Sequence, residues 1–350
     1  MKKKINFNKF SVALLSILTV LVVVRVSLPY AVKWYINDEL ANLESYSGHV
    51  NDVSLSLWRG AYQIKDLSIQ KKTGKIPVPF VDVRQVDLAI DWRAVLKMSL
   101  VARIYIDTPE INFVDSKVKK KQQNGSEESW DKLLAGSFPI KLDRFEIVNG
   151  RVHFKNFDTS PPLDFSLTQI HLTLNNLTNS LKVSKTLAAT GEFTAKAMSQ
   201  ANLDGSLHFN PLAKDPEFEL KFRIMNLNLV KLNPFLMHYV QIDFAKGDFD
   251  VVTEIASSHR KLSGYIKPLF RNFAVLKGPK DFEKKTAIEK VKEVAVAAVM
   301  QVFKNQKKDQ FATVLPIEGT IDAKETRIWP VIVNIFKNAF IHAFVPKYDE

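Results

Sequence analysis

The chain has no cysteine among its 350 residues, and this absence removes several kinds of chemistry. Without thiols there are no disulfide bonds, no thiolate nucleophile and no cysteine-ligated metal. The seven histidines are scattered and do not show the spacing of metal ligands. The sequence also lacks a glycine-rich phosphate loop, a G-x-S-x-G elbow and an H-E-x-x-H helix. We therefore predict no catalytic residue, no metal and no cofactor, and we expect a protein that is not an enzyme.

Acidic residues come closest to forming a cluster at Asp243, Asp248 and Asp250. Their spacing does not match that of a calcium-binding loop. A solvated turn is the preferred interpretation of this segment, and no metal site is predicted there.

One long apolar run, from Phe10 to Leu28, follows four lysines near the start of the chain. Its 19 residues make a helix of about 28 Å, close to the roughly 30 Å of bilayer hydrocarbon. A cleaved signal peptide has a shorter run of about 7–15 residues, and residues 27–31 form a poor cleavage site. We therefore predict that residues 1–29 form a cytoplasmic tip and a retained transmembrane anchor, with a cleaved signal peptide as the alternative.

The four lysines before the apolar run also predict the orientation of the chain. By the positive-inside rule, the N-terminus is cytoplasmic and residues 30–350 lie across the membrane. The formal net charge of +12 favours contact with anionic lipid headgroups over nucleic acid at that location. A well-solvated basic surface is the simpler alternative.

Apolar and polar residues alternate along most of the chain after Val53. The alternation is clear at 163–167, 218–224 and 249–255, and a period of two predicts β-strands with one apolar face. Turn signals such as Asn149-Gly150 separate these strands. The sequence therefore predicts a mainly β fold built as an antiparallel meander.

The alternation slips by one residue at four places, which are 64–67, 83–86, 142–145 and 167–170. Each reads apolar, polar, polar, apolar, so a regular strand would turn its second half to the other face. A β-bulge would restore the facing and bend the strand. We predict a strongly curved sheet, with a break between two short strands as the alternative at each slip.

Composition divides the part after the anchor into four segments. Residues 30–115 are predicted as an N-terminal β unit and residues 133–280 as the main β-groove. Between them, residues 116–132 are rich in lysine, glutamine and serine and predict a flexible polar loop. Residues 281–350 are predicted to contain a helix, a strand and an apolar C-terminal helix that caps the sheet.

The two C-terminal helices are predicted at 281–306 and 328–345. The first lacks glycine and proline and carries one apolar stripe, which is typical of an amphipathic helix. The second is more apolar, but its four polar residues make it a poor spanning helix. It is expected either to cover the end of the sheet or to lie on a membrane surface.

Several short motifs come after the anchor in a recognisable order. They are GHVNDVSL at 48–55, WRGAY at 58–62 leading to DLSI at 66–69, IDTPEI at 106–111, FEIVNGRVHF at 145–154, LSGYIKP at 262–268 and NAF at 338–340. With the anchor, they resemble the AsmA-like family of bacterial envelope proteins, in its short single-anchor branch. The resemblance implies an inner-membrane protein with a periplasmic, taco-like β-groove, linked to phospholipid transport or outer-membrane homeostasis. About 14 strands spaced about 4.8 Å apart give a groove of roughly 65 Å, short for this family.

The apolar face of such a sheet needs a cover, and two readings remain open. In the first, an open groove shelters the acyl chains of a phospholipid or a similar ligand, which enter near residues 30–60. In the second, the face is the closed core of a β-sandwich in an anchored scaffold or assembly factor that binds other envelope proteins. The predicted lipid-binding wall consists of Phe145, Ile147, Val152, Phe154, Phe165, Leu167, Leu172, Leu220, Phe222 and Ile224.

Overall fold

In the computed structural model, one long N-terminal helix precedes a single open, curved sheet. The predicted fold class, mainly β after an apolar N-terminal helix, is confirmed. The predicted helices at 281–306 and 328–345 lie outside the described residues. The structure describes residues 9–56, 59–125, 140–181, 185–186, 188–210, 213, 215–239, 242–277, 310–312 and 314–321.

Three α-helices, a short 3-10 helix at Lys119–Lys121 and thirteen strands make up the described fold. The helices are α1 (Lys9–Ala41), α2 (Trp92–Val95) and α3 (Leu229–Tyr239). The strands are β1 (Tyr46–Ser56), β2 (Ala61–Lys71), β3 (Val81–Ile90), β4 (Leu100–Asp115), β5 (Ile140–Asn156), β6 (Leu163–Thr178), β7 (Ala189–Ala197), β8 (Ala201–Asn210), β9 (Glu217–Asn228), β10 (Asp243–Ser258), β11 (Lys261–Lys277), β12 (Gln310–Ala312) and β13 (Leu315–Thr320).

Strands that are consecutive in sequence are neighbours in the sheet from β1 to β12, and β13 also pairs with β11. The pair β4–β5 is parallel, whereas the other pairs are antiparallel. A parallel pair requires a connection that returns along the strand. The pairing of β4 with β5 places the two β units predicted from the sequence in one sheet.

The described part of that connection, residues 116–125, packs against the sheet. Gln123 is fully buried and its Nε2 donates to the Asn112 carbonyl at 2.8 Å. Its backbone also forms an antiparallel bridge with Val114. These residues were expected in a flexible polar loop, but the buried glutamine gives this part of it fixed contacts.

Left-handed residues line up across the middle of the sheet. Asp66 in β2, Thr108 in β4, Asn149 in β5 and Gln169 in β6 have φ angles of 52°, 52°, 55° and 51°. The strand pairing sets Asp66 and Thr108 on either side of Arg84 in β3. We call these five residues the crease. Because a residue of this kind turns a strand and increases its twist, the crease bends β2 to β6 along one line.

The four predicted slips lie inside continuous strands, so none of them is a strand break. At 142–145 and 167–170 the register shifts against a neighbouring strand, as a bulge requires. At 64–67 the strand turns through the left-handed Asp66 but keeps its register against β1 and β3, so the bulge predicted there is wrong. The bulge predicted at 83–86 is also wrong, because β3 keeps its register there and its neighbours carry the left-handed residues.

Two buried clusters lie on the apolar face. The main cluster covers β5 to β11 and α3, and Leu220, Phe222 and Ile224 near its centre are 0%, 4% and 1% exposed. The second cluster, where α1 meets β1, consists of Leu43, Tyr46, Ile69 and Phe80.

A row of aromatic rings joins the two clusters along one end of the sheet. Ring centroids are 5.1 to 6.3 Å apart along this row. Its members are Tyr46, Phe80, Phe113, Phe154, Phe165 and Phe235. We call this the Tyr46 end of the sheet, where β1 begins, and the opposite end, at the β1–β2 turn, the Gly60 end.

The crease gives a first prediction about stability. Replacing Asn149 by valine should destabilise the fold by about 1–2 kcal/mol, because a β-branched residue clashes with the backbone at positive φ. Asn175 in β6 is also exposed but has ordinary strand geometry, so its replacement by valine is the matched control and should be neutral or stabilising. Thermal unfolding followed by circular dichroism checks this, and equal effects of the two changes would contradict it.

Candidate functional site

Helix α1 is bound to the edge of β1 by the side chain of Asn37. The Val50 backbone N–H donates to Asn37 Oδ1 at 2.7 Å, and Asn37 Nδ2 donates to the Val50 carbonyl at 3.2 Å. The amide therefore occupies backbone groups that an edge strand would otherwise expose. Three residues further along the helix, Leu40 lies beside Gly48. Helix α1 and strand β1 therefore run in opposite directions where they meet. The apolar N-terminal half of α1 consequently extends towards the Gly60 end.

Most of α1 is exposed and apolar. The stretch Val12–Ala41 has a mean hydropathy of 2.3 in its most apolar part, none of which is buried, so α1 is long and apolar enough to span a membrane. Tyr30, Trp34 and Tyr35 lie just after the apolar run and are 72%, 69% and 59% exposed. Aromatic residues at such positions are typical of the membrane–water interface.

Helix α3 is attached in the same way as α1, through an asparagine. Asn233 Nδ2 donates to the Phe244 carbonyl at 2.8 Å, and the Phe244 N–H donates to Asn233 Oδ1 at 2.9 Å. Unlike α1, this helix buries its leucines, Leu232 and Leu236, in the main cluster. Its Phe235 ring reaches Phe165 in β6, so α3 covers the apolar face between β6 and β10.

These two attachments predict separate local effects. Replacing Asn37 by alanine should speed hydrogen exchange at the Val50 amide, because its acceptor is lost at a cost of about 1 kcal/mol. Replacing Asn233 by alanine should do the same at Phe244 and leave Val50 unchanged. Each variant is the control for the other, and mass-spectrometric hydrogen exchange measures both. Fast exchange at both amides in either variant would contradict local attachment.

The ten residues predicted to bind lipid share the apolar face, but they differ in exposure. Four lie partly buried at the margin of the main cluster, namely Phe145, Val152, Leu167 and Leu172. Ile147 is partly buried and lies outside that cluster. Five are buried within it, namely Phe154, Phe165, Leu220, Phe222 and Ile224. Because the buried five are packed by protein, the more exposed residues are the better candidates for contact with a ligand.

Two apolar rows cross β1 to β5 between the crease and the Gly60 end. The first row is Leu55, Tyr62, Leu88, Ile104 and Phe145. The second row is Val53, Ile64, Val86, Ile106 and Ile147. We call these ten residues the open apolar patch. Val53 is 4% exposed, and the other nine are partly exposed, in contrast to the fully buried Leu220 of the same face.

Only Phe145 and Ile147 of the open apolar patch are among the predicted lipid-binding residues. The rest lie in residues 30–115, which the sequence suggests as a separate unit. The alternation at Ile104 and Ile106 was a usable signal for them. The parallel pairing that joins this unit to β5 was not visible in the sequence.

The opposite face of the sheet is polar, and many of its charges are paired. Two hollows of about 630 and 580 Å³ lie on it. The first contains the pair Arg223–Asp204 at 2.9 Å, and the second contains Arg144–Glu146, also at 2.9 Å. Such partly exposed pairs contribute little to stability, and their charges already have protein partners.

Asp250 occupies a different position from the solvated turn that its sequence context suggests. It lies in β10, is 4% exposed and accepts hydrogen bonds from Arg271 Nε and from the Asn226 N–H at 3.0 and 2.6 Å. The carboxylate holds the pKa of Arg271 above its usual value. The group is structural, since it joins β9, β10 and β11 where Asn226 and Asn272 are left-handed. Within the described ranges, no three His, Asp or Glu side chains could together hold a metal ion.

Two carboxylates on the polar face, Asp82 and Asp164, should make the stability of the fold depend on pH in opposite directions. Burial and the neighbouring Glu110 and Asp66 raise the pKa of Asp82. Burial acts in the same direction on Asp164, but hydrogen bonds from His153 and Lys155 outweigh it and lower that pKa. The folded protein therefore loses stability through Asp82 as pH rises above the ordinary carboxyl value. Through Asp164 it loses stability as pH falls below that value.

Replacing Asp82 by asparagine should therefore raise the melting temperature at neutral pH, with the gain disappearing in acid. Replacing Asp164 by asparagine should lower it at neutral pH, with the loss disappearing in acid. Melting temperatures of both variants across a pH series measure this. Shifts of the same sign in the two variants would contradict the assignment.

No protein-family model matches the chain, and no curated protein matches it. The resemblance to the AsmA-like family therefore has no support from these comparisons. The function of the chain has to be inferred from the anchor, the sheet and the open apolar patch.

Proposed function

We propose that this protein is held in a bacterial inner membrane by α1, with its N-terminus in the cytoplasm and the sheet in the periplasm. We further propose that the open apolar patch binds the acyl chains of a phospholipid and assists phospholipid transport or outer-membrane homeostasis. Binding of this kind needs no catalytic residue, because contact between apolar groups is non-directional.

The observation that carries this proposal is the uneven burial of one continuous apolar face. Under α3 the face is covered by protein, whereas nine residues of the open apolar patch are partly exposed. The patch crosses five strands, a width of about 19 Å at about 4.8 Å per strand spacing. Contiguous exposed apolar surface on a protein marks a site of interaction or of ligand binding.

Exposing an acyl chain to water costs free energy, and binding to the open apolar patch would lower that cost. Each methylene costs about 0.8 kcal/mol to expose, so a 16-carbon chain costs roughly 13 kcal/mol. An acyl chain lying on the patch would be shielded, and the patch would be shielded by the chain. Transfer through an aqueous compartment needs a shelter of this kind.

The position of the patch also supports the proposal. It lies in β1 to β5, and β1 is the strand against which α1 packs. A lipid leaving the bilayer beside α1 would therefore meet β1 before it met the part of the sheet that α3 covers. The stretch from Pro29 to Leu40 becomes the proposed point of entry.

A second candidate function is that of an anchored scaffold or assembly factor. The full burial of Leu220 and Ile224 favours it, because this half of the sheet has the closed core of a protein without a ligand. On this hypothesis the polar face would bind other envelope proteins, and the open apolar patch would be covered by a protein partner.

Photo-crosslinking from two tyrosines separates these functions. Tyr62 belongs to the open apolar patch, whereas Tyr105 is 36% exposed on the polar face of β4, next to Ile104. Each would be replaced by p-benzoylphenylalanine in the full chain, and adducts would be identified by mass spectrometry after irradiation in cells. We expect a phospholipid adduct from position 62 and at least tenfold less from position 105.

A protein adduct from position 62 would support the scaffold instead. Equal lipid labelling at both positions would contradict a patch-specific site, because Tyr105 serves as the matched control on the opposite face. Both side chains are replaced by a larger aromatic group, so the comparison does not depend on the label.

A further inference from the structure

The connection between β3 and β4 exposes three large apolar side chains at one place. Trp92, Leu96 and Met98 are 39%, 86% and 69% exposed. Two cations, Arg93 and Lys97, alternate with them and are also exposed. We call residues 91–99 the α2 loop. Exposed apolar residues interleaved with cations are typical of segments that lie in a membrane interface.

The α2 loop is held in shape by its own hydrogen bonds. Asp91 Oδ1 accepts from the Arg93 N–H at 2.8 Å, and Ser99 Oγ donates to the Ala94 carbonyl at 3.0 Å. Met98 then adopts a left-handed conformation, with φ at 55°. These bonds fix the backbone that carries the exposed side chains, so their exposure is a property of the fold.

The loop lies at the end of the sheet towards which the membrane helix extends. The Ile90 N–H donates to the Gly60 carbonyl at 2.7 Å, which places the loop at the Gly60 end. From Asn37 back to Leu28, α1 covers about 14 Å, while β1 covers about 20 Å from Val50 to Ser56. The end of the apolar run and the Gly60 end therefore lie on the same side of the Asn37–Val50 attachment, at comparable distances along their own elements.

We propose that the α2 loop is a second membrane contact, which inserts Trp92, Leu96 and Met98 into the leaflet from which α1 emerges. Arg93 and Lys97 meet the anionic headgroups of that leaflet. The inference rests on α1 as the membrane anchor, but it does not require the protein to transport lipid. Two contacts would fix the tilt and the rotation of the sheet, whereas a single helix would leave the sheet free to swivel.

The absence of cysteine allows a direct test in the full-length chain. A single cysteine at Leu96 would carry a bimane fluorophore, with the protein in vesicles of phosphatidylcholine and phosphatidylglycerol. Some lipids would carry a nitroxide quencher on the acyl chain. Leu21→Cys, in the apolar run and 63% exposed, is the membrane reference. Val118→Cys is the matched control, since Val118 is 50% exposed among lysines at the Tyr46 end.

We expect the nitroxide lipids to quench the label at position 96 at least twofold and the label at 118 hardly at all. The double change Arg93→Glu and Lys97→Glu should reduce quenching at 96 and leave quenching at 21 unchanged. Leu96 and both cations are exposed, so these substitutions should not impair folding.

Quenching at 21 without quenching at 96 would overturn the second contact while leaving the anchor in place. A label at 96 as open to aqueous iodide as the label at 118 would overturn it as well. Loss of quenching at position 21 would remove the anchor and this inference together. None of these outcomes depends on whether Tyr62 crosslinks to lipid, so the failure of the two proposals can be told apart.

Discussion

Side chains along a β-strand alternate with a period of two, so a strand whose apolar positions change from even to odd numbers keeps them on one face only if its backbone compensates for one residue. The crease meets this constraint by placing Asp66, Thr108, Asn149 and Gln169 in the left-handed region. Short polar side chains tolerate that region best, which suits aspartate and asparagine, whereas threonine is less well suited. The aromatic row and the open apolar patch lie on either side of this line. Both depend on the crease, because without the change of facing there either the aromatic row or the open apolar patch would lie on the polar face of the sheet.

Features that depend only on residues close to one another in the sequence could be predicted from the sequence. The apolar run predicts the spanning helix, and the alternation at 218–224 predicts β9 and its buried face. At Thr108 and Asn149 the apolar positions also change from even to odd or back, but Pro109 and Gly150 stand where an apolar residue would resume, so the four-residue slip pattern is absent. The turn between strands that Asn149-Gly150 suggested is wrong, because both residues lie within β5. Helix α3 contains Pro234, and its place depends on contacts with two strands that are distant in sequence, β6 and β10. The parallel pairing of β4 with β5 and the burial of Leu220 likewise depend on contacts between distant residues.

The apolar face of the sheet has a buried part and a partly exposed part, and one asparagine-bound helix packs beside each. Asn37 and Asn233 make the same pair of bonds to the strand that comes after each helix. Helix α3 turns its leucines onto the sheet and completes a core, whereas α1 keeps its apolar surface outside, where a bilayer would cover it. The apolar face near α1 therefore lacks the cover that α3 gives to the other half.

The order of the strands has a consequence for how the chain is made. Each strand from β2 to β12 pairs with the one before it, so over this part of the sheet the edge that receives a strand is the most recently formed one, whereas β13 pairs with β11. Because these pairings are local in sequence, a chain that is synthesised N-terminus first could add each strand to the sheet as that strand appears. The parallel step at β5 is the one place in the described sheet where assembly must wait for a return connection. Synthesis and folding can thus proceed in the same direction, outwards from the tethered end.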